Sequence, residues 1–159
     1  MFGGHKKEID NDTRCYQSAL GYLARREHSR LELINKLSHK PFSEDVDLPS
    51  LCDSLEASNY LSDERFAEMF VRSRVSRGKG EMKIRYELRQ RGVKEALIDA
   101  ALLEEGVDWL ILAREQREKR FGRAIPKDFK ERARQSRFLA GRGFSGEIIG
   151  LSFQVKNSP

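Results

Sequence analysis

One hexapeptide pattern occurs twice in the chain, as Leu88-Arg89-Gln90-Arg91-Gly92-Val93 and, 51 residues later, as Leu139-Ala140-Gly141-Arg142-Gly143-Phe144. The same offset of 51 residues relates Phe70 to Phe121. Shifted backward by 51 residues, the first leucine of the pattern, Leu88, falls on Leu37. A period of this length is typical of stacked helical units, each of which buries its apolar face against a neighbour. The sequence therefore predicts an all-α fold, an elongated array of three tandem three-helix repeats.

The 51-residue period also sets the expected boundaries of these repeats. We expect repeats over residues 13–61, 62–105 and 106–153, preceded by a flexible arm over 1–12 and followed by a flexible tail over 154–159. No segment alternates polar and apolar residues in the way that a strand does.

Several residues predict where helices begin and end. Ser29 and Glu32 have the spacing of a capping box, which opens the second helix of the first repeat. In the third repeat, we expect Pro126 to open the second helix and either Gly141 or Gly143 to close it.

Charge is concentrated in blocks. Of all residues 38% are hydrophobic and 35% are charged, and the net charge is only +5. Nine basic and two acidic residues fall in 71–94, and ten basic and four acidic residues fall in 114–137, whereas 95–113 has acidic charges only. A basic block is either a solvated helix face or a binding surface, and its recurrence favours a partner such as nucleic acid or an acidic protein surface.

The helix of the second repeat that contains the hexapeptide has one basic face. If Ile84 and Leu88 point inward, Arg85, Tyr86 and Arg89 point outward. Arginine pairs with phosphate and tyrosine stacks on an exposed base, so this face suits either single-stranded nucleic acid or a negatively charged protein groove. Alternatively, Tyr86 packs on the adjacent repeat.

Two further basic features are less specific. The sequence Gly78-Lys79-Gly80 is either a plain turn or a helix N-terminus whose N–H groups contact a phosphate. A second basic surface in the third repeat includes Arg117, Lys119 and other cations around it, some of which are expected to form ion pairs along the helix. The candidate partner-binding or DNA-binding residues are Arg72, Arg74, Arg77, Lys79, Lys83, Arg85, Tyr86, Arg89, Arg91, Arg120, Arg123, Lys127, Arg137 and Arg142.

The sequence does not favour catalysis. It lacks the motifs of nucleotide-binding loops and hydrolase elbows, so we expect no catalytic residue and no cofactor. The spacing of its histidines and cysteines predicts no metal site; these residues are His5, His28, His39, Cys15 and Cys52. No apolar stretch approaches the roughly 20 residues of a membrane span, so we expect a cytoplasmic protein with reduced thiols and no membrane partner.

Much of the chain resembles one protein family. The specific motifs are Asp63-Glu64-Arg65-Phe66-Ala67-Glu68-Met69-Phe70-Val71-Arg72-Ser73-Arg74, Arg77-Gly78-Lys79-Gly80, Lys83-Ile84 and Leu88-Arg89-Gln90-Arg91-Gly92-Val93. These motifs closely resemble the central signature of RecX regulatory proteins, and the resemblance covers roughly residues 14–153.

The resemblance implies tandem three-helix repeats and a partner. RecX proteins bind the filament of the RecA recombinase, lie along its helical groove and restrain ATP hydrolysis and strand exchange. By resemblance, we expect a regulator of homologous recombination and the SOS response that binds RecA filaments. From the basic residues we expect it to bind single-stranded DNA, and duplex DNA more weakly, and from the array of repeats we expect a monomer. The alternative is a helical module that binds nucleic acid without a recombinase.

Overall fold

The computed structural model of the protein describes residues 9–155, and within that range it consists of α-helices, one 3₁₀ helix (Pro41–Ser43) and loops, without a strand. The helices are α1 (Asn11–Arg25), α2 (Arg30–Ser38), α3 (Leu48–Ala57), α4 (Asp63–Ser76), α5 (Glu81–Gln90), α6 (Glu95–Glu105), α7 (Trp109–Phe121), α8 (Phe129–Arg142) and α9 (Gly146–Ser152). The predictions of an all-α fold and of three three-helix units are confirmed. Residues 1–8 of the predicted arm and 156–159 of the predicted tail lie outside the described residues.

The chain divides into two compact units, one that ends at Phe66 and one that begins at Ala67, so α4 contributes to both. The first unit contains α1, α2 and α3. The second unit contains α5 to α9, and every candidate binding residue belongs to it.

The first unit has its own core and the predicted capping box. The Ser29 side chain accepts a hydrogen bond from the Glu32 amide at 3.1 Å, and the Glu32 carboxylate accepts one from the Ser29 amide at 3.1 Å. These two bonds satisfy N–H groups that the first turn of a helix leaves unpaired. The buried core residues are Cys15, Ala19, Leu33, Leu37, Leu48, Cys52, Leu55 and Leu61.

In the second unit, the repeated leucines are core residues. Ile84 and Leu88 of α5 are completely buried, as is Leu139 of α8. Helices α7, α8 and α9 pack against one another in all three pairs. The buried residues of their core are Ala113, Leu139, Phe144, Ile149 and Phe153.

One predicted helix boundary is wrong. Helix α8 begins at Phe129 and not at Pro126, because the Asp128 side chain accepts a hydrogen bond from the Lys130 amide and thereby caps the helix. A helix that began at Pro126 would need Ile125 as its cap, and this side chain has no acceptor. Helix α8 ends at Arg142, and Gly143 follows as its C-cap with a φ of 101°, so of the two glycines expected to close the helix it is the second.

Candidate functional site

The second unit contains a basic groove of about 340 Å³ that three helices line. Its residues come from the end of α4, from one face of α7 and from the last two turns of α8. They are Ser76, Arg77, Gln116, Lys119, Arg120, Phe138 and Arg142. This set is called the basic groove below.

The basic groove carries four cationic side chains, and among the described residues none that lines it is acidic. Helix α7 contributes Lys119 and Arg120 next to each other, near its C-terminus, where the helix dipole favours positive charge. The Arg142 guanidinium is fixed by a hydrogen bond of 3.3 Å to the carbonyl of Arg77. Uncompensated cations around a concave surface create a positive potential that attracts an anion.

Lys79 extends this positive region. Burial lowers the pKa of the Lys79 ammonium, and the nearby charges of Arg142 and Lys83 lower it further, although Glu87 opposes them. The Lys83 ammonium donates a hydrogen bond of 3.4 Å to the carbonyl of Gly141. An anion bound at this place would relieve the repulsion among these three cations.

Phe138 gives the basic groove an aromatic wall that contacts two guanidinium groups. Its ring lies 5.5 Å from the Arg120 guanidinium carbon and 5.2 Å from that of Arg142. The Phe121 ring lies perpendicular to it at a centroid distance of 5.3 Å, which restricts the orientation of the ring. These contacts hold two cationic groups at the groove, where they are available to an anionic partner.

The start of α5 is not an anion site. The Gly80 amide donates to the carbonyl of Arg142 at 2.8 Å, and the Met82 amide donates to the carbonyl of Gly143 at 3.0 Å. The C-terminal carbonyls of α8 therefore occupy the N–H groups that a phosphate would need. The sequence Gly78-Lys79-Gly80 acts as a turn, in which Gly78 has a φ of 76°.

The structure brings part of the candidate set together. Arg77, Arg120 and Arg142 line the basic groove, and the pKa of Lys79 responds to the nearby charges of Lys83 and Arg142.

Four other candidates interact with residues of their own repeat. Arg85 lies 2.7 Å from Asp99, and Arg89 is ion-paired with Glu95. Arg74 and Arg91 lie over the ring of Phe70, with their guanidinium carbons 4.4 and 4.7 Å from the ring centroid. Arg74 also forms an ion pair with Glu87.

The remaining candidates are dispersed. Arg72 and Lys127 are exposed, and Tyr86 is exposed by 59%, so it does not pack on a neighbouring repeat in the part of the chain that is described. Arg123 and Arg137 line other cavities. The prediction that Arg117 belongs to a basic surface is wrong, because this side chain is only 2% exposed.

Sequence reasoning left four groove residues out of the candidate set. Lys119 was predicted to lie on the second basic surface, but it was not among the candidate binding residues. The sequence analysis did not identify Ser76, Gln116 or Phe138 as functional residues. The signal for the α7 residues is their spacing, since Gln116, Lys119 and Arg120 are three and four residues apart and share one helix face.

The described residues contain no helix long and apolar enough to cross a bilayer. Among them there is also no group of three or more side chains suited to holding a metal ion.

Comparison with known families gives one consistent result. Three family profiles match successive parts of the chain: the first three-helix domain of RecX over residues 15–46, the second over 62–102 and the third over 110–150.

Related proteins and solved structures agree with these matches. The regulatory protein RecX of Halorhodospira halophila is 48% identical over 132 residues, which are 83% of this chain and 81% of that protein. The RecX protein of Chromohalobacter salexigens is 49% identical over 131 residues, 82% of this chain and 85% of its own. A crystal structure of RecX from Lactobacillus salivarius superimposes with a TM-score of 0.75 at 24% identity, over 91% of this chain and 95% of the other. The chain belongs to the RecX family of regulatory proteins.

Proposed function

We propose that this protein binds RecA recombinase filaments and their single-stranded DNA through the basic groove, and that it inhibits ATP hydrolysis and strand exchange. In this role it modulates homologous recombination and the SOS response from the cytoplasm, as a monomer. The observation that carries the proposal is a groove with four cations, an aromatic wall and no acidic lining residue among those described.

The chemistry of the groove matches a single-stranded backbone. Arg77, Lys119 and Arg120 offer charge-assisted hydrogen bonds to phosphate oxygens. Phe138 holds the guanidinium groups of Arg120 and Arg142 at the groove through cation–π contacts. Such a surface binds without sequence preference, as a regulator of a filament on arbitrary DNA requires.

Arg85 and Arg89 are weaker candidates for phosphate contact than the groove residues. Their guanidinium groups already bind carboxylates of α6, namely Asp99 and Glu95. A phosphate would have to displace these carboxylates, so the net gain in binding free energy is small.

Several repeats in one chain explain how a small protein can restrain a long filament. Once one repeat is bound, the next meets the filament at a high effective concentration, which strengthens binding without a new type of contact. Contacts to successive protomers then resist growth and rearrangement of the filament.

The experiment measures ATP hydrolysis by RecA on single-stranded DNA in the presence of increasing amounts of this protein. The test variant is Lys119→Gln with Arg120→Gln, and the matched control is Arg85→Gln with Arg89→Gln, which removes the same charge from the same unit. Two lost charge-assisted hydrogen bonds should raise the half-inhibitory concentration about tenfold or more. The half-inhibitory concentration of the control should lie within about twofold of that of the unchanged protein, because Arg85 and Arg89 are already paired with carboxylates.

Equal inhibition by the two double variants would contradict the assignment to the basic groove. A titration of DNA without recombinase separates the alternative function. Tight, sequence-selective binding to duplex DNA would favour a module that acts without a recombinase, whereas weak and salt-sensitive binding to single strands supports the proposal.

A further inference from the structure

Phe129, the first residue of α8, lies at the surface of the third repeat. Its side chain is 83% exposed, although an apolar ring of this size gains free energy when it leaves water. It lines an open concave surface of about 450 Å³, which is called the α8 surface below. The residues of the α8 surface are Asp128, Phe129, Lys130, Glu131, Ala133, Arg134 and Arg137, and none of them lines the basic groove.

The ring of Phe129 differs from the other phenylalanine rings of the third repeat because it is uncovered. Phe144 and Phe153 are buried, with 4% and 5% exposed. Arginine guanidinium groups lie over the remaining two, Phe121 and Phe138, at 5.2–5.5 Å. Among the described residues no ring and no guanidinium group packs on Phe129, so its π-face is open to a ligand.

Two cations of the α8 surface have no acidic partner. Lys130 and Arg137 are exposed, and neither forms an ion pair with any residue of the described part of the chain. The acidic side chains of the surface are already engaged, since Glu131 pairs with Arg134 at 3.1 Å and Asp128 caps the helix. The uncompensated charge beside the open ring is therefore positive, which attracts an anionic ligand.

The α8 surface continues along the helix. Phe129, Ala133 and Arg137 are four residues apart and share one side of α8. Arg137 also lines a neighbouring cavity of about 390 Å³, where the small residues Ala140 and Gly146 leave room for a bound chain. A strand that contacts Phe129 can therefore pass along α8 to Arg137 without meeting a large side chain between them.

A single open ring among small and cationic side chains suits a nucleobase better than a protein surface. The energetic centre of a protein interface is a cluster of packed apolar and aromatic anchors. Among the large hydrophobic residues of α8 and α9, Phe129 alone is exposed, so no such cluster is present there. Stacking on a base requires one ring, and cations beside it bind the neighbouring phosphates.

We propose that Phe129 stacks on a base of single-stranded nucleic acid while Lys130 and Arg137 bind the adjacent phosphates. The identity of this ligand rests on the proposed function, but the residues are different from those of the basic groove. The chain thereby contacts the strand at two places, of which the basic groove binds phosphate and the α8 surface also binds a base. Every base has a π-face, so this contact is independent of the DNA sequence.

Binding of labelled strands to the full chain, measured by fluorescence anisotropy without recombinase, tests this contact. The two strands are oligothymidylate and an abasic oligonucleotide of the same length, which has the same phosphates but no bases. The unchanged protein should bind oligothymidylate about fivefold or more tightly than the abasic strand, as stacking on one base requires. Phe129→Leu should lose most of this preference, because leucine is apolar but has no π-face, and Phe129→Trp should retain it.

Leu103→Ala is the matched control, because Leu103 on α6 is also 83% exposed but lies outside the α8 surface. This variant should bind both strands as the unchanged protein does. The groove variant, Lys119→Gln with Arg120→Gln, should weaken binding to the two strands by the same factor, since it removes phosphate contacts and leaves the ring in place.

The two proposals fail in different ways. If the unchanged protein shows no preference for oligothymidylate, or if the preference survives in Phe129→Leu, the stacking contact is overturned and the proposed function is unaffected. Weaker inhibition of RecA by a Phe129→Leu variant that keeps the preference would assign the ring to a contact with the recombinase instead. Full binding of both strands by the groove variant would contradict the proposed role of the basic groove and leave the stacking contact intact.

Discussion

Gly80 and Gly143 lie so close together that a Cβ on Gly80 would overlap the carbonyl group of Gly143. The close approach lets the amides at the start of α5 bind the carbonyls at the end of α8, with N–O distances of 2.8 and 3.0 Å. The positive end of one helix dipole thereby meets the negative end of another. This backbone contact joins the second and third repeats and places Arg142 beside Lys79 and the basic groove.

Replacing either glycine should destabilise the second unit. Gly80→Ala introduces the overlap described above, and Gly143→Ala adds a Cβ that would overlap the Cβ of Lys83 at a residue whose φ is 101°. We expect each to lower the free energy of unfolding by about 1–3 kcal/mol, measured by urea denaturation.

Gly141→Ala is the matched control for these variants. Gly141 is an exposed residue inside α8, and a Cβ there would meet nothing within 4 Å. Alanine should raise the free energy of unfolding by up to about 1 kcal/mol, because glycine is the poorer helix former. A loss of stability at Gly141 equal to that at Gly80 would show that the close approach is not the cause.

The salt dependence of binding to single-stranded DNA should identify which cations contact phosphate. Each phosphate contact contributes about 0.7 to the slope of log K against log salt concentration for a single strand. The double variant Lys119→Gln with Arg120→Gln should therefore flatten the slope by about 1.4, measured by fluorescence anisotropy of a labelled oligonucleotide.

Arg85→Gln with Arg89→Gln should leave that slope unchanged, because both arginines are paired with carboxylates of α6. If this double variant flattens the slope as much as the groove variant does, the ion pairs open on binding and the face of α5 contacts DNA.

The repeat and the helical periodicity of apolar residues were sufficient to predict the fold. The repeat predicts that Leu88 and Leu139 are core residues, and both are completely buried. Helix periodicity also places Tyr86 on the face opposite Ile84, and of the two alternatives for this side chain the structure shows the exposed one. These features depend on residues within one or two turns of each other, which a sequence displays directly.

The composition of the candidate site was harder to predict, because it depends on which elements pack together. The acidic segment 95–113 provides Glu95 and Asp99, which bind Arg89 and Arg85, but segment charge alone does not show this pairing. Arg117 lies four residues after the buried Ala113 and faces inward with it, against the expectation for a charged residue.

The stability of the first unit should decrease in mild acid because of His28. The Lys36 ammonium lies 2.8 Å from Nε2 of His28 and can only donate, so Nε2 accepts this hydrogen bond and Nδ1–H donates to the carbonyl of Arg26, 3.1 Å away. This arrangement requires a neutral ring. Burial lowers the pKa of His28 from its ordinary 6.5, and the charges of Arg26 and Lys36 lower it further, against the opposing effects of the hydrogen bond to the Arg26 carbonyl and of Glu32.

Because the folded pKa lies below the unfolded one, the folded state binds fewer protons in the interval between them. The contribution of His28 is therefore complete above pH 6.5 and is lost as the pH falls from 6.5 toward the folded pKa. Urea denaturation at a series of pH values should show this decrease in the unchanged protein and in the exposed-site control His39→Gln, and should show less of it in His28→Gln. An identical decrease in His28→Gln would assign the effect to other groups.

The two cysteines should be unreactive until the first unit unfolds. Cys15 and Cys52 are completely buried, and burial raises the pKa of both thiols, that of Cys52 to about 11. Only the thiolate attacks disulfide reagents, so both access and ionisation oppose the reaction at neutral pH. We expect Ellman's reagent to detect almost no thiol in the native protein and two per chain in urea, with native labelling limited by the rate of opening. Cys15→Ser leaves Cys52 as the single reporter, and rapid native labelling of that variant at pH 7.5 would contradict the burial of Cys52.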